Sequence, residues 1–599
     1  MNFSIEQVMS APFPSDLVAA PKGDTFAFLL YQNGRRNVWI SEDGKPRQVT
    51  AFADDDGQEL ATPEFSADGK NIVFVRGGGP NNQGEFPNPR IVTTGVEQAV
   101  WIVPVRGGEP QKIGDGNSPA LSPKGDSVVF SGQGGLFVAP LDRTKPAEAL
   151  FKIRGQNAGP VWSPDGSRIA FVSGRGDHSF VGVYEIATRT IRFMAPGMDQ
   201  DQLPVWSPDG KQLAFARLPG LKSDDPIQLH PGAPWSIWVC DPATGAGKAV
   251  WRSDAGLGGV YWVPNGRLQV WWTASGSLVF PWEKDGWLHL YAVPAAGGDV
   301  RLLTPGPFDV EDAALSQDRK TLYVASNQGD IERRHIWRID DGGTPQQVTT
   351  GPDSQWRPTP LADGALAFIA GGARMPATVF RRANRDAQPV AVTASLEPSD
   401  FPSAQLVVPE VVTFRSEDGL EIHGQLFLPA GSTSGERHPA VIFTHGGSER
   451  QMMPGFHDLN FYHNAYGFNQ YLASRGFVVL SVNYRSGIMY GHAFRDTKPF
   501  GWGGAPEYKD LLAGAQFLRA RQDVDPERVG LWGGSYGGYL TALGLARNSD
   551  LFKAGVDFCG VHNWKTLWST WLGRPVGTPE EQQTLFDASP VASIATWRS

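Results

Sequence analysis

A turn of the form Ser-Pro-Asp-Gly, followed at once by an alternating apolar strand, recurs along this chain from about residue 16 to 400. It is cleanest at Ser163-Pro164-Asp165-Gly166 before Arg168-Ile169-Ala170-Phe171, and at Ser207-Pro208-Asp209-Gly210 before Gln212-Leu213-Ala214-Phe215. Weaker copies begin at Ala20, Ser66, Ser122, Val263, Ser316 and Leu361, so successive turns stand 41 to 56 residues apart. A strand centred on Trp keeps phase with them, at Val38-Trp39-Ile40, Val100-Trp101-Ile102, Ile237-Trp238-Val239 and Ile336-Trp337-Arg338. Gly-Gly turns then lead into Glu109 to Ile113, Asp299 to Leu303 and Thr344 to Val348. Each unit is several short strands joined by turns in which Pro presets φ and Gly accepts a positive one. That is the length of a four-stranded propeller blade, and radial repetition of blades disposes of open sheet edges. Eight turns predict eight blades, or seven if one weak copy is accidental. The turn residues specify architecture and are not candidates for catalysis.

Other local features within the repeat are bland. Gly77-Gly78-Gly79-Pro80 lacks the Gly-Lys-Ser/Thr ending of a phosphate loop, and Arg175-Gly176-Asp177 reads as a polar turn. No His-Glu-x-x-His and no Cys/His cluster occurs, so neither a metal nor another cofactor is implied. The formal net charge of −9 offers no basic field for a polyanion, which argues against nucleic acid as a partner. No apolar run approaches the ~20 residues that cross a bilayer. Cys240 and Cys559 fall in different parts of the chain, so a disulfide is not expected, and both read as buried small apolar side chains. The first residues carry no secretory leader, which fits a cytoplasmic protein. A leader removed before Met1 would leave no trace and would fit the periplasm or secretion, so the compartment stays open.

Between about 392 and 409 the repeat stops, and a different grammar begins. Glu410 to Pro429 reads as a hairpin around Glu417-Asp418-Gly419. Apolar strands then alternate with helices: a strand from Ala440 to Thr444, a helix from Phe468 to Arg475 and a strand from Phe477 to Val482. A helix from Glu507 to Arg521 and strands over Arg528 to Gly533 and Phe552 to Gly560 follow. Alternating βα units with continuously apolar strands predict a parallel sheet covered on both faces. The chain therefore divides into an N-terminal segment, 1–15, expected to pack on the hydrolase domain; a β-propeller, 16–400; and an α/β-hydrolase domain, 401–599.

Within that sheet, Gly533-x-Ser535-x-Gly537 joins a strand to a helix-compatible segment, Tyr539 to Arg547. Gly-x-Ser-x-Gly is a weak signal in a chain with 71 glycines, but a strand, sharp turn and helix is the setting a nucleophile elbow requires. Ser535 is the candidate nucleophile. A serine hydroxyl needs a base to take its proton and donors to hold the oxyanion. The backbone N–H of Tyr536, directly after the serine, supplies one donor. The N–H of Gly447, in the loop His445-Gly446-Gly447-Ser448, supplies the second. His445 is a candidate base, and its plainer role is to shape that loop.

A propeller of Ser-Pro-Asp-Gly blades followed by His-Gly-Gly and Trp-Gly-Gly-Ser-Tyr-Gly-Gly-Tyr resembles the prolyl oligopeptidase family of serine peptidases. Asn483-Tyr484-Arg485-Ser486-Gly487 and Tyr490-Gly491 add to the resemblance, which covers nearly the whole chain. It implies hydrolysis of short peptides through an acyl-enzyme, with the propeller restricting access. The dipeptidyl peptidase branch carries Tyr where this chain has His445 and binds the substrate amine with paired propeller glutamates. No Glu-Glu pair occurs before Glu580-Glu581, so the resemblance leans toward acylaminoacyl-peptidases or oligopeptidases, although eight blades lean the other way.

In such hydrolases the triad runs Ser, then Asp or Glu, then His, on loops after later strands. Only 64 residues follow Ser535. Asp557 and His562 lie early for these roles, so the acid and the base are expected beyond Ser599, on a C-terminal segment that would be a partner of this chain. Losing the base alone costs about 10⁴- to 10⁶-fold in kcat, so the 599 residues alone are expected to be inactive. A carboxylesterase on the same scaffold and a non-catalytic propeller binding protein are the competing readings. A homo-oligomer is compatible with the sequence.

Overall fold

The computed structural model describes residues 3–81, 83–220, 234–431, 435–497 and 505–598. In the turn at Ser163 every residue type has a separate task. Ser163 Oγ donates to Asp165 Oδ1 at 2.6 Å and accepts from Arg168 N at 2.9 Å, while Gly166 takes φ +65°. Ser207 and Asp209 repeat the arrangement, with Gly210 at φ +68°. Hydrogen bonds from the Ser163 and Ser167 side chains hold the Asp165 carboxyl down at about 2. The turn is thus closed by side chains that compete for backbone partners outside any helix or ladder.

Among the described residues the strands between Phe13 and Ala391 fall into eight successive sets of four, joined as antiparallel meanders. A single parallel bridge, Ser179 to Gln200, merges the fourth and fifth sets into one sheet. In most neighbouring sets the first strand lies against the first strand of the next, which puts these strands innermost. The first and last sets meet through Phe13, Phe26, Phe28, Trp356 and Ile369, and through a bond from Asp363 N to Gly23 O, which closes the ring.

Six of the eight blades are centred on an aromatic pair. The second strands place Phe28, Phe74, Phe215 and Phe280 in full burial, opposite Trp39, Trp101, Trp238 and Tyr291 of the third strands. Phe130 faces Phe137 and Phe368 faces Phe380 in the same way. Where Phe171 has Gly182 opposite it, the ring fills the glycine's missing side chain. Such cross-strand pairs contribute roughly 0.2–1 kcal/mol each, and the alternation follows from the period of two along a strand.

Two expectations shift. The first strand begins at Phe13 rather than 16, because Phe13 pairs with Tyr31. In the sixth set the turn between the first two strands is Thr273–Gly276, not Val263–Gly266, which forms a 3-10 turn before the two-residue strand Trp271–Trp272. The Val263 copy has the right residues, but it lies upstream of the strand that pairs.

Ser4 caps helix α1, Ile5–Val8, and Val8 packs with Phe401, Phe456 and Tyr466 of the hydrolase part. There the strands are β1 Glu410–Arg415, β2 Glu421–Phe427, β3 His438–Thr444, β4 Val478–Asn483, β5 Val524–Gly534 and β6 Ala554–Phe558. Their spatial order is β1-β2-β4-β3-β5-β6, with β3, β4, β5 and β6 parallel. Helices α2 Asn460–Ser474, α3 Glu507–Arg519 and α4 Tyr536–Arg547 cover the sheet. Ile442, Leu480 and Leu531 face α3 and α4, whereas Phe443 and Trp532 face α2. Helix α2 starts eight residues before the sequence expectation. Its buried face includes Asn469, which accepts from Trp532 Nε1, and Gln470, which pairs with both backbone groups of Val407; these polar residues hide the apolar period.

Candidate active site

Strand β5 is flanked by β3 and β6, with Thr444 and Asp557 in register with Gly533. At its end Ser535 takes φ 57°, ψ −117°, a conformation that costs on the order of 1–3 kcal/mol for a residue with a side chain. The glycines around it are dictated by collision. A Cβ on Gly533 would stand 2.5 Å from the Thr444 carbonyl oxygen, and one on Gly537 would run into the same oxygen. One on Gly538 would meet the Asp557 carboxylate. Close packing of strand against helix is what throws Ser535 outward. It is exposed, whereas residues 531–534 and 536–540 are all buried. Ser535 N donates to Phe558 O at 2.8 Å, which ties the turn to β6. Tyr536 begins α4, so its N–H belongs to the unsatisfied first turn at the positive end of the helix dipole.

The loop after β3 comes up beside the serine. A Cβ on Gly446 would lie 3.3 Å from the Ser535 Cβ and 2.9 Å from Gly534 O, so the close approach needs glycine there. Gly447 has φ +122°, is exposed, and is followed by Ser448 through a cis peptide. His445 points the other way. It is fully buried, its ring stacks on Tyr484 at 4.1 Å, its Nδ1 bonds Gly446 O at 2.9 Å, and its carbonyl accepts from the Tyr484 hydroxyl at 2.6 Å. Burial pushes its imidazole down to about 3, so it stays neutral across the working range of a general base. Shaping the loop is the role its surroundings fit.

Tyr484 belongs to a segment that braces the site from beneath. Arg485 forms ion pairs with Asp510 at 2.7 Å and Asp418 at 2.6 Å, and its hydrogen bonds hold the Asp418 carboxyl down at about 2. Ser486, at φ 66°, donates to Glu507 Oε1 at 2.7 Å. Burial pushes the Glu507 carboxyl up to about 7, and the Tyr536 hydroxyl lies within reach of it. Sequence reasoning missed Glu507 and Asp510. Their signal is a pair of carboxylates at i, i+3 on the otherwise apolar face of α3.

Asp557 and His562 do come together. His562 Nε2 and Asp557 Oδ2 are 2.6 Å apart, and Asp557 Oδ1 accepts from Gly560 N. Asp557 ends an edge strand and His562 is exposed beyond it, so the expectation of a buried-type strand over Phe552 to Gly560 is corrected: β6 is largely exposed because, among the described residues, it pairs only with β5. Val556 and Phe558 of this strand stand exposed, as do Trp571, Ile594 and Trp597 in the segment that follows. Cys559, expected to be buried, is exposed at φ 48° in the turn after β6, while Cys240 is buried; both are free. Among the described residues no histidine is hydrogen-bonded to the Ser535 hydroxyl.

Residues 464–597, which hold the elbow and α2 to α4, match the prolyl oligopeptidase family. That part of the chain is thus similar to a family of serine peptidases. Residues 235–366 match the dipeptidyl peptidase IV N-terminal region, on the propeller. Human dipeptidyl peptidase 8 is 30% identical over 203 residues, 34% of this chain and 22% of the relative. Dipeptidyl aminopeptidase BIII of Pseudoxanthomonas mexicana is 31% identical over 247 residues, 40% of this chain and 34% of the relative. The chain thus matches about a third or less of the length of either relative. The crystal structure of Porphyromonas gingivalis dipeptidyl peptidase 4 shares the fold, with a TM-score of 0.72 at 17% identity, covering 100% of this chain and 90% of that one. The chain therefore has the two-part fold of these peptidases, a propeller and an α/β-hydrolase-type domain.

Proposed function

We propose that the protein is a serine peptidase acting on short peptides through an acyl-enzyme on Ser535. The observation that carries this is the single exposed side chain, Ser535, raised from a buried strand-to-helix turn beside the Gly446-Gly447 loop. Its oxygen attacks the scissile carbonyl carbon, and the oxyanion is held by the N–H groups of Tyr536 and Gly447. A base takes the serine proton and returns it to the leaving amine; water then hydrolyses the acyl-enzyme by the same route in reverse. His445 is too deeply sealed for that task, and Asp557 lies in the edge strand β6 with His562 in the turn directly after it. The propeller limits access to the serine.

A dipeptidyl mode is the second reading, favoured by the two relatives, a dipeptidyl peptidase and a dipeptidyl aminopeptidase. An active-site fluorophosphonate probe tests the nucleophile. The full-length polypeptide is expected to label and to lose labelling on Ser535→Ala; no labelling of the parent would favour a non-catalytic binding protein. Cleavage of an N-acetylated aminoacyl anilide but not of a free-amine Xaa-Pro anilide indicates the acylaminoacyl mode, and the reverse pattern the dipeptidyl mode. Ester turnover without amide turnover would make it a carboxylesterase.

A further inference from the structure

Seven of the eight inter-strand turns place a glycine or another small residue at the sharp bend; the seventh set places Arg319 there, at φ +59°. A side chain in that region is disfavoured, and glycine fills the equivalent position at Gly69, Gly125, Gly166 and Gly210. Arg319 therefore departs from the repeat where departure is costly. Its Nη1 reaches across to the carbonyls of Trp206 and Trp272, at 3.3 and 3.4 Å, in the fifth and sixth sets. Its Nε and Nη2 have no partner, and no carboxylate lies within ion-pair distance, among the described residues.

The guanidinium lines an open cavity of about 480 Å³ shared by Glu64, Pro160, Trp162 and Trp206. Together with Pro119 to Leu121 of the third set, these come from the first strands of the second to fifth sets, and Arg319 enters from the seventh across the ring, which puts the cavity at the axis. The cavity is at the end of the axis away from the hydrolase. The innermost strands end there in their Ser-Pro-Asp-Gly turns, whereas the contacts to the hydrolase, such as Asp309 to Gly491 N and Asn327 to Met489 O, come from the opposite end. Trp162 and Trp206 have their indole N–H groups committed to neighbouring carbonyls, which leaves the rings as apolar walls. Glu64 accepts only long bonds of 3.4 Å from Leu121 N, and burial pushes its carboxyl up to about 7, so it stands partly uncharged at neutral pH.

We propose that this mouth is a docking site for the C-terminal carboxylate of a short peptide, with Arg319 as the anion-binding group. A guanidinium whose Nε–Nη2 edge is free matches a carboxylate in charge and geometry, the indoles accommodate an apolar side chain, and Glu64 accepts peptide N–H groups. The choice of a peptide over another carboxylate rests on the peptidase reading above.

Binding is measured by titration calorimetry on the Ser535→Ala full-length polypeptide, with an apolar tripeptide as free acid and as C-terminal amide. The acid is expected to bind more tightly than the amide. Arg319→Gly is expected to weaken the acid roughly tenfold, the scale of one charge-assisted contact, and to leave the amide unchanged. Glycine restores the residue of the other turns, so the variant keeps the fold, and Arg319→Asn, which also tolerates positive φ, repeats the measurement independently. Equal affinity of acid and amide for the parent, or of parent and both variants for the acid, overturns the proposal. Since no turnover is needed, a failure here is distinct from a failure of Ser535 to label.

Discussion

At the scale of single residues the site rests on groups held away from their ordinary protonation. Glu507 is the clearest, fully buried between Ser486 and Tyr536 with its carboxyl raised from 4.5 to about 7. Between those two values the folded protein holds a proton that the unfolded chain has released. The resulting stability is complete below about 4.5 and is lost as pH rises through 7, a change on the order of 3 kcal/mol at 1.36 kcal/mol per unit. Glu507→Gln mimics the protonated form, so its denaturation midpoint is expected to fall less than that of the parent between pH 5 and 8; parallel curves would count against the assignment. Ser535 was legible in the sequence because glycines at fixed offsets have one steric meaning beside a strand and a helix. Glu507 was not, because its role depends on Ser486, which lies 21 residues away in sequence and arrives only with the fold.

At the scale of elements the strand β6 is open on one side among the described residues. A parallel strand paired on one side presents a row of backbone donors and acceptors, and here it also presents Val556 and Phe558. Exposed apolar side chains on an open strand edge are of the kind that marks an interface. The 599-residue polypeptide is expected to self-associate through it. Phe558→Asp should shift sedimentation toward monomer while leaving the melting temperature within a few degrees, since Phe558 is half exposed; unchanged association would rule out this edge. The strands themselves were legible because alternation survives in isolation, as was the helix α4 after its glycines. Helix α2 was longer than its apolar pattern, because Asn469 and Gln470 are buried by specific hydrogen bonds rather than by hydrophobicity.

At the scale of the whole molecule the propeller and the hydrolase are joined by buried charge. Glu283 receives both Arg495 nitrogens, at 2.6 and 2.7 Å, and contacts His492 at 2.7 Å; Arg495 in turn lies over the Trp262 ring at 3.6 Å. Glu332 holds His423 at 2.6 Å, and Arg267 holds Asp458 at 2.6 Å. The Trp262 indole donates to Glu449, and Phe456 N donates to Gly372 O, so blades clamp the segment that continues from the Gly446-Gly447 loop. Removing one partner of a buried pair leaves the other charge uncompensated, at about 3–5 kcal/mol. Glu283→Ala is therefore expected to lower the chemical denaturation midpoint strongly, and adding Arg495→Met should recover much of the loss. A double variant as unstable as the sum of the single ones would mean that the two side chains are not coupled.

The sequence by itself determined the repeat, the parallel sheet and the elbow, because each is written in near neighbours: Pro and Gly set a turn within four residues, alternation sets a strand, and the elbow glycines flank their serine. Only the tertiary structure decided which of those features face one another. It sealed His445 against Tyr484, brought Asp557 to His562, left β6 open on one side, and gathered Arg319, Glu64 and two tryptophans around the ring axis. Those contacts join residues from separate elements, and no local preference of the chain encodes which elements will pack together.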